Sequence, residues 1–147
     1  MEEPLVSVLL SSYNHAPYVE ASVRSVMAQK GVPFELIVID DGSTDESPQI
    51  LERLSKEFGF FYKHRENKGL VKTLNELLSF SHGKYFCTFA SDDIMAPGRL
   101  EAESRFLESH PQVPACAGQI VNMLPDGTLE GSPDSRFDRA TEASFED

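Results

Sequence analysis

From Leu5 to Val121, short apolar runs alternate with segments of helical period, and this alternation narrows the fold more than any other feature. Leu5-Val6-Ser7-Val8-Leu9-Leu10, Phe34-Glu35-Leu36-Ile37-Val38-Ile39, Phe60-Phe61-Tyr62-Lys63-His64 and Tyr85-Phe86-Cys87-Thr88-Phe89 are apolar and β-branched or aromatic enough for buried strands. Between them, Val19, Val23, Val26 and Met27 recur at helical spacing, with Gly31 as the stop. Ile50, Leu51, Leu54 and Phe58 do the same before Gly59, and Leu70, Val71, Leu74, Leu77 and Leu78 before Gly83. Ser43-Thr44-Asp45-Glu46 has the form of a capping box, with Ser43 as the cap. Pro97 opens a helix carrying Leu100, Phe106 and Leu107, and Val113 to Val121 is expected to form a fifth strand. Asp126-Gly127 predicts a hairpin turn between Val121-Asn122-Met123-Leu124 and Thr128-Leu129. Strands alternating with helices of this length imply an α/β fold, a mostly parallel sheet with helices on both faces.

Such sheets bind ligands beyond the carboxyl ends of their strands. Three polar loops fall there: Ser11-Ser12-Tyr13-Asn14, Asp40-Asp41-Gly42-Ser43 and Ser91-Asp92-Asp93. The last is the most demanding. Adjacent carboxylates repel, and packing them near a sheet end without a counter-charge is costly. An oxygen-seeking divalent cation, Mg²⁺ or Mn²⁺, removes that cost. An isolated Asp-Asp is as readily a solvated loop that caps the next helix. Convergence with two other polar loops makes this pair a candidate site.

The chain's 147 residues are 40% hydrophobic, which suits one domain with a single core. Its formal net charge of −11, with no basic stripe, argues against nucleic acid as a partner. Cys87 and Cys116, both expected in buried strands, form neither a zinc pattern nor a disulfide framework, so a reduced, cytoplasmic setting is expected. No apolar run reaches the length of a membrane span. Residues 1–124 read as one region, and 125–147 as an acidic, loosely ordered segment.

The first loop, Ser11-Ser12-Tyr13-Asn14-His15-Ala16-Pro17, has no glycine, and no Gly-Lys-Ser/Thr loop occurs. Dinucleotide and P-loop sites are therefore disfavoured, and a bound diphosphate would need a cation. Val6 to Asn14, Ile39-Asp40-Asp41-Gly42-Ser43-Thr44-Asp45, Asn67-Lys68-Gly69 with Asn75, and the strand ending in Ser91-Asp92-Asp93 together resemble family 2 glycosyltransferases. The resemblance covers roughly residues 5–122. It implies the Rossmann-like GT-A fold of nucleotide-diphospho-sugar transferases, here truncated, and inverting transfer from a nucleotide sugar, expected to be a UDP-sugar, to an acceptor hydroxyl.

By the same resemblance, Ser11, Tyr13 and Asn14 lie in the loop that cradles base and ribose, with Tyr13 able to stack on uracil. Asp41 or Asp40 matches the acid that bonds the base edge; the alternative is that they orient the turn. Arg65, Asn67 and Lys68 fall in a loop near the sugar nucleotide, or in a solvated loop at a helix start. Asp92 and Asp93 match the end of the metal-binding motif, with Asp93 the foremost ligand of Mn²⁺ or Mg²⁺. Many relatives carry a further Asp two residues before Asp92, where this chain has Ala90. The family's general base lies beyond the matched region; Asp138, Glu142, Glu146 and Asp147 read as solvated tail acids, and none is assigned.

The expected partners are a nucleotide-sugar donor and a saccharide or lipid-linked acceptor, with peripheral membrane contact and self-association both open. Two other readings compete. A non-catalytic sugar-nucleotide-binding module fits the short length and unassigned base. A sugar nucleotidyltransferase would carry a glycine-rich basic loop after the first strand, which Ser11 to Pro17 is not. His15, His64, His82 and His110 show no ligand spacing; His15 alone adjoins a candidate loop.

Overall fold

The computed structural model describes residues 3–130. Its order is β1 (Val6–Ser12), α1 (Ala16–Met27), β2 (Phe34–Asp40), α2 (Ser47–Phe58), β3 (Phe61–His64), α3 (Leu70–Ser79), β4 (Tyr85–Ala90), α4 (Arg99–Ser109), β5 (Asn122–Met123) and β6 (Leu129–Glu130). The first four strands form one sheet in the order β3-β2-β1-β4, every pairing parallel.

That order reverses between β1 and β4. Right-handed crossovers carry the chain outward from β1 through α1 and α2 on one face. They carry it back past β1 through α3 on the other. Two apolar clusters record the division. Val6, Val8, Leu10, Leu36, Val38 and Phe89 meet Val19, Val23 and Val26 of α1, Leu51 and Leu54 of α2, and Leu100 of α4. Leu9, Ile37 and Ile39, pointing the opposite way, meet Leu77 of α3, with Leu74 and Phe80 alongside. The sheet is thus parallel and covered on both faces, as its nearly continuous apolar strands require.

Three expectations are corrected. Residues 113–121 form no strand; they run beside α4, where the Cys116 thiol approaches the Glu103 carbonyl. Cys116 is therefore not in a strand, and both cysteines are only partly buried. Ser43 caps no helix, because α2 starts at Ser47, with Pro48 in its first turn where a missing N–H costs nothing. Asp126-Gly127 does turn the β5–β6 hairpin, with Gly127 at φ 87°. Of the acidic segment 125–147, only residues 125–130 are among those described, and Asp138, Glu142, Glu146 and Asp147 lie outside them.

The amino end of the sheet is clipped shut. Glu35 accepts the Ser7 hydroxyl at 2.6 Å and the His82 amide at 2.7 Å, while Gly83 donates its amide to Ser7 Oγ at 2.9 Å. A Cβ on Gly83 would lie 2.7 Å from the Ser7 nitrogen and 2.9 Å from the Tyr85 carbonyl, both backbone atoms that cannot yield. Gly83→Ala is accordingly expected to cost about 1–3 kcal/mol by overpacking. Urea unfolding checks it: the midpoint falls with an unchanged slope.

Candidate functional site

The switch in strand order places the carboxyl ends of β1 and β4 side by side, the position at which open α/β sheets hold ligands. Ser11 pairs with Ile39 on one side and Ala90 on the other, and Ser12 pairs with Asp40. The three predicted loops therefore leave adjacent strands at one level of the sheet.

The loop after β1 is fixed by the loop after β2. Asn14 adopts φ 53°, a left-handed conformation that Asn tolerates. Its backbone N–H donates to Ser43 Oγ at 2.8 Å, and its side-chain oxygen accepts the Thr44 amide at 2.8 Å. Tyr13, in this loop, is 49% exposed. Ser12 Oγ is buried and has no hydrogen-bond partner among the described residues.

The start of α1 is already satisfied by its own chain. His15 N donates to Ser47 Oγ at 3.1 Å and Ala16 N to Asp45 Oδ2 at 2.9 Å. Pro17 has no N–H, and Tyr18 N returns to the His15 carbonyl at 2.9 Å. Asp45 also accepts the Ser47 amide at 2.9 Å, so one carboxylate binds the starts of α1 and α2 together.

Asp40 and Asp41 have separate tasks. Asp40 is fully buried and accepts the Ser43 amide at 2.9 Å and the Ser43 hydroxyl at 2.5 Å, with His64 Nδ1 2.9 Å away. It orients the turn. Asp41 reaches the other way and gathers the loop after β3. It accepts the Arg65 guanidinium, the Lys68 amide at 2.8 Å and the Gly69 amide at 3.0 Å. Burial pushes the Asp41 carboxyl up, but the Lys68 amide, the Arg65 guanidinium and the Thr73 hydroxyl outweigh it and hold it below the usual carboxylate range.

Arg65 is itself only 9% exposed and also donates to Glu76 at 2.8 Å and Thr73 at 2.8 Å on α3. It is a hub whose side chain is largely enclosed, whereas Asn67 and Lys68 remain exposed beside it. The two loops touch through backbone: a Cβ on Gly42, at φ 81°, would lie 2.6 Å from the Asn67 nitrogen.

The acidic loop is tied down by polar groups on α1 and just beyond its end that the sequence pattern did not single out. Ser22 Oγ donates to the Ala90 carbonyl at 3.1 Å and the Met95 amide donates to Ser25 Oγ at 2.9 Å. Gln29 donates to the Ala96 carbonyl at 2.9 Å. Ser22 and Ser25 interrupt the apolar side of α1 three residues apart, and Gln29 follows four residues on, just past the helix end, the one signal that marks them. Held this way, Asp92 and Asp93 both reach solvent. Partial burial and the neighbouring Asp92 charge push the Asp93 carboxyl up. Among the described residues no hydrogen-bond donor or ion-pair partner reaches the Asp93 carboxylate.

The donor set suits a hard divalent cation: two adjacent carboxylates, one of them without a hydrogen-bond donor or ion-pair partner among the described residues. It is incomplete alone, since no group of three His, Cys, Asp or Glu is placed to hold a metal among the described residues. Further oxygens from a diphosphate or water would complete it.

The family model for glycosyl transferase family 2 matches residues 7–136, nearly the whole chain. The chain belongs to glycosyl transferase family 2. Among family 2 relatives it is 36% identical over 119 residues to an uncharacterized glycosyltransferase of Haemophilus influenzae, covering 80% of this chain and 37% of that one. It is 33% identical over 129 residues to TuaG of Bacillus subtilis, named for teichuronic acid biosynthesis, covering 86% of this chain and 50% of that one. The crystal structure of S. aureus TarS in complex with UDP-GlcNAc matches with a TM-score of 0.66 at 28% identity, covering 72% of this chain and 32% of that one. The sheet and its helices are those of the GT-A fold. This family 2 chain spans about a third to a half of the length of these proteins.

Proposed function

We propose that this chain carries the donor-binding region of an inverting glycosyltransferase that uses a UDP-sugar. One observation supports the reading above all: the Tyr13 loop, the Asp41–Arg65 assembly and the Asp92-Asp93 pair leave neighbouring strands at a single level of the sheet. The 28% identical TarS, solved with UDP-GlcNAc, supports a uridine nucleotide. Likeness to a protein named for teichuronic acid biosynthesis supports a saccharide or lipid-linked acceptor.

In this reading Tyr13 stacks on the base, and Ser11 and the exposed Asn67 and Lys68 line the nucleotide. Asp41 acts by fixing the Arg65–Gly69 backbone, and Asp40 by fixing the turn that holds Asn14. Asp92 and Asp93 would hold Mg²⁺ or Mn²⁺, which when bound supplies positive charge for the departing diphosphate. The acceptor oxygen bonds to the anomeric carbon as the bond from that carbon to the diphosphate breaks. The hydroxyl proton passes to a base outside the assigned residues.

Calorimetric titration of UDP with and without Mn²⁺ tests this. Mn²⁺ is expected to tighten UDP binding by at least about tenfold, and Asp93→Ala to remove that gain. Absence of UDP binding, or a gain that survives Asp93→Ala, overturns the reading.

A further inference from the structure

The reading above leaves His15 without a task, yet its side chain is held at this edge. Its Nδ1 lies 2.8 Å from Ser91 Oγ, and Ser91 is only 1% exposed. Its Nε2 lies 3.8 Å from Asp92 Oδ2. The ring stands edge-on to Tyr18, with centroids 6.3 Å apart, and the His15 backbone is anchored on Ser47. One imidazole thus spans two consecutive residues of the acidic loop. Among the described residues, no other donor or cation reaches the Asp92 carboxylate.

We propose that His15 is a positioning residue that sets the orientation of Asp92, so that Asp92 and Asp93 turn their free oxygens toward one cation. The inference rests on the assignment of that pair as the cation site. With Nδ1 accepting the Ser91 hydroxyl hydrogen, the ring proton sits on Nε2 and faces Asp92. A separation of 3.8 Å is longer than a hydrogen bond, and a modest rotation of the exposed Asp92 side chain closes it. The arrangement follows a general habit of metal sites, in which the partners of a ligand are as firmly held as the ligand itself.

The test measures Mn²⁺ affinity at saturating UDP by electron paramagnetic resonance of free Mn²⁺, beside metal-free UDP affinity by calorimetry, on the 147-residue chain. His15→Ala is expected to weaken Mn²⁺ on the order of tenfold while metal-free UDP affinity stays within about twofold. His15→Gln, whose amide still donates N–H, is expected to recover most of the loss. Ser91→Ala, which frees the ring to turn, is expected to reproduce part of it. Thermal unfolding establishes that each variant is folded, and His15→Gln and Ser91→Ala carry the test if His15→Ala is not. Unchanged Mn²⁺ affinity in His15→Ala, or in Ser91→Ala where His15→Ala does not fold, overturns the inference alone, as does an equal loss of UDP affinity with and without Mn²⁺. A wild-type chain whose UDP binding ignores Mn²⁺ overturns the cation site and this inference with it.

Discussion

Asp41→Ala is expected to lower the thermal midpoint by roughly 10–15 °C, the largest loss from any single loop residue. The carboxylate is 5% exposed and serves three elements at once: the end of β2, the Lys68–Gly69 backbone and, through Arg65, helix α3. Its removal leaves a buried guanidinium short of charge and two amides unpaired, a loss of about 3–5 kcal/mol. Asp41→Asn keeps an acceptor without the charge and is expected to lose about half as much.

The pH dependence has a definite sign. Folding lowers the Asp41 pKa from its ordinary 3.8, so the unfolded chain takes up this proton first as pH falls. The stabilisation is complete above the ordinary value and is lost as pH drops through the folded one. Chemical denaturation from neutral pH to the acid range is expected to show wild type converging on Asp41→Asn at the acid end. A gap that stays constant overturns the assignment.

Leu77→Ala is expected to cost about 2–5 kcal/mol, toward the upper part of that range. Among the described residues, Leu9, Ile37, Ile39 and Leu77 are the fully buried apolar side chains of the cluster on this face, and α3 supplies just one of them. On the opposite face α1 alone supplies three valines, so a single truncation there leaves neighbours to close over it. Leu77→Met, which conserves volume, is expected to cost less than about 1.5 kcal/mol. Because α3 also carries Thr73 and Glu76, loosening it loosens Arg65. The double variant with Asp41→Ala should therefore lose less than the sum of the two, by about 0.5–3 kcal/mol in a double-mutant cycle.

These energetics explain what the sequence disclosed and what it hid. The parallel strands were legible because strands covered on both faces must be apolar throughout, and Leu9 and Leu10 are buried in opposite directions. The positions of the three loops followed from that. Val113 to Val121 misled for a related reason: its residues are apolar enough for a strand, but a strand exists only with a partner, and this stretch lies beside α4. Ser43 matched a capping pattern, yet Pro48 moved the helix start and Asp40 took the Ser43 hydroxyl. The division of labour between Asp40 and Asp41 was invisible, since it depends on which side of the sheet edge each carboxylate faces. So was the burial of Arg65, whose partners Asp41, Thr73 and Glu76 are scattered along the chain.

The closed start of α1 has a consequence for how affinity can be controlled. In glycine-loop sites the first amides of this helix are permanent electropositive contacts for phosphate. Here Asp45, Ser47 and the His15 carbonyl already occupy them, and Pro17 contributes none. Under the proposed reading, the charge that meets the diphosphate is borrowed from solution. Nucleotide occupancy would then track the free concentration of divalent ions and could be dialled down by a chelator with the protein fully folded. A dinucleotide glycine loop, whose positive charge is built into the backbone, depends less on such ions.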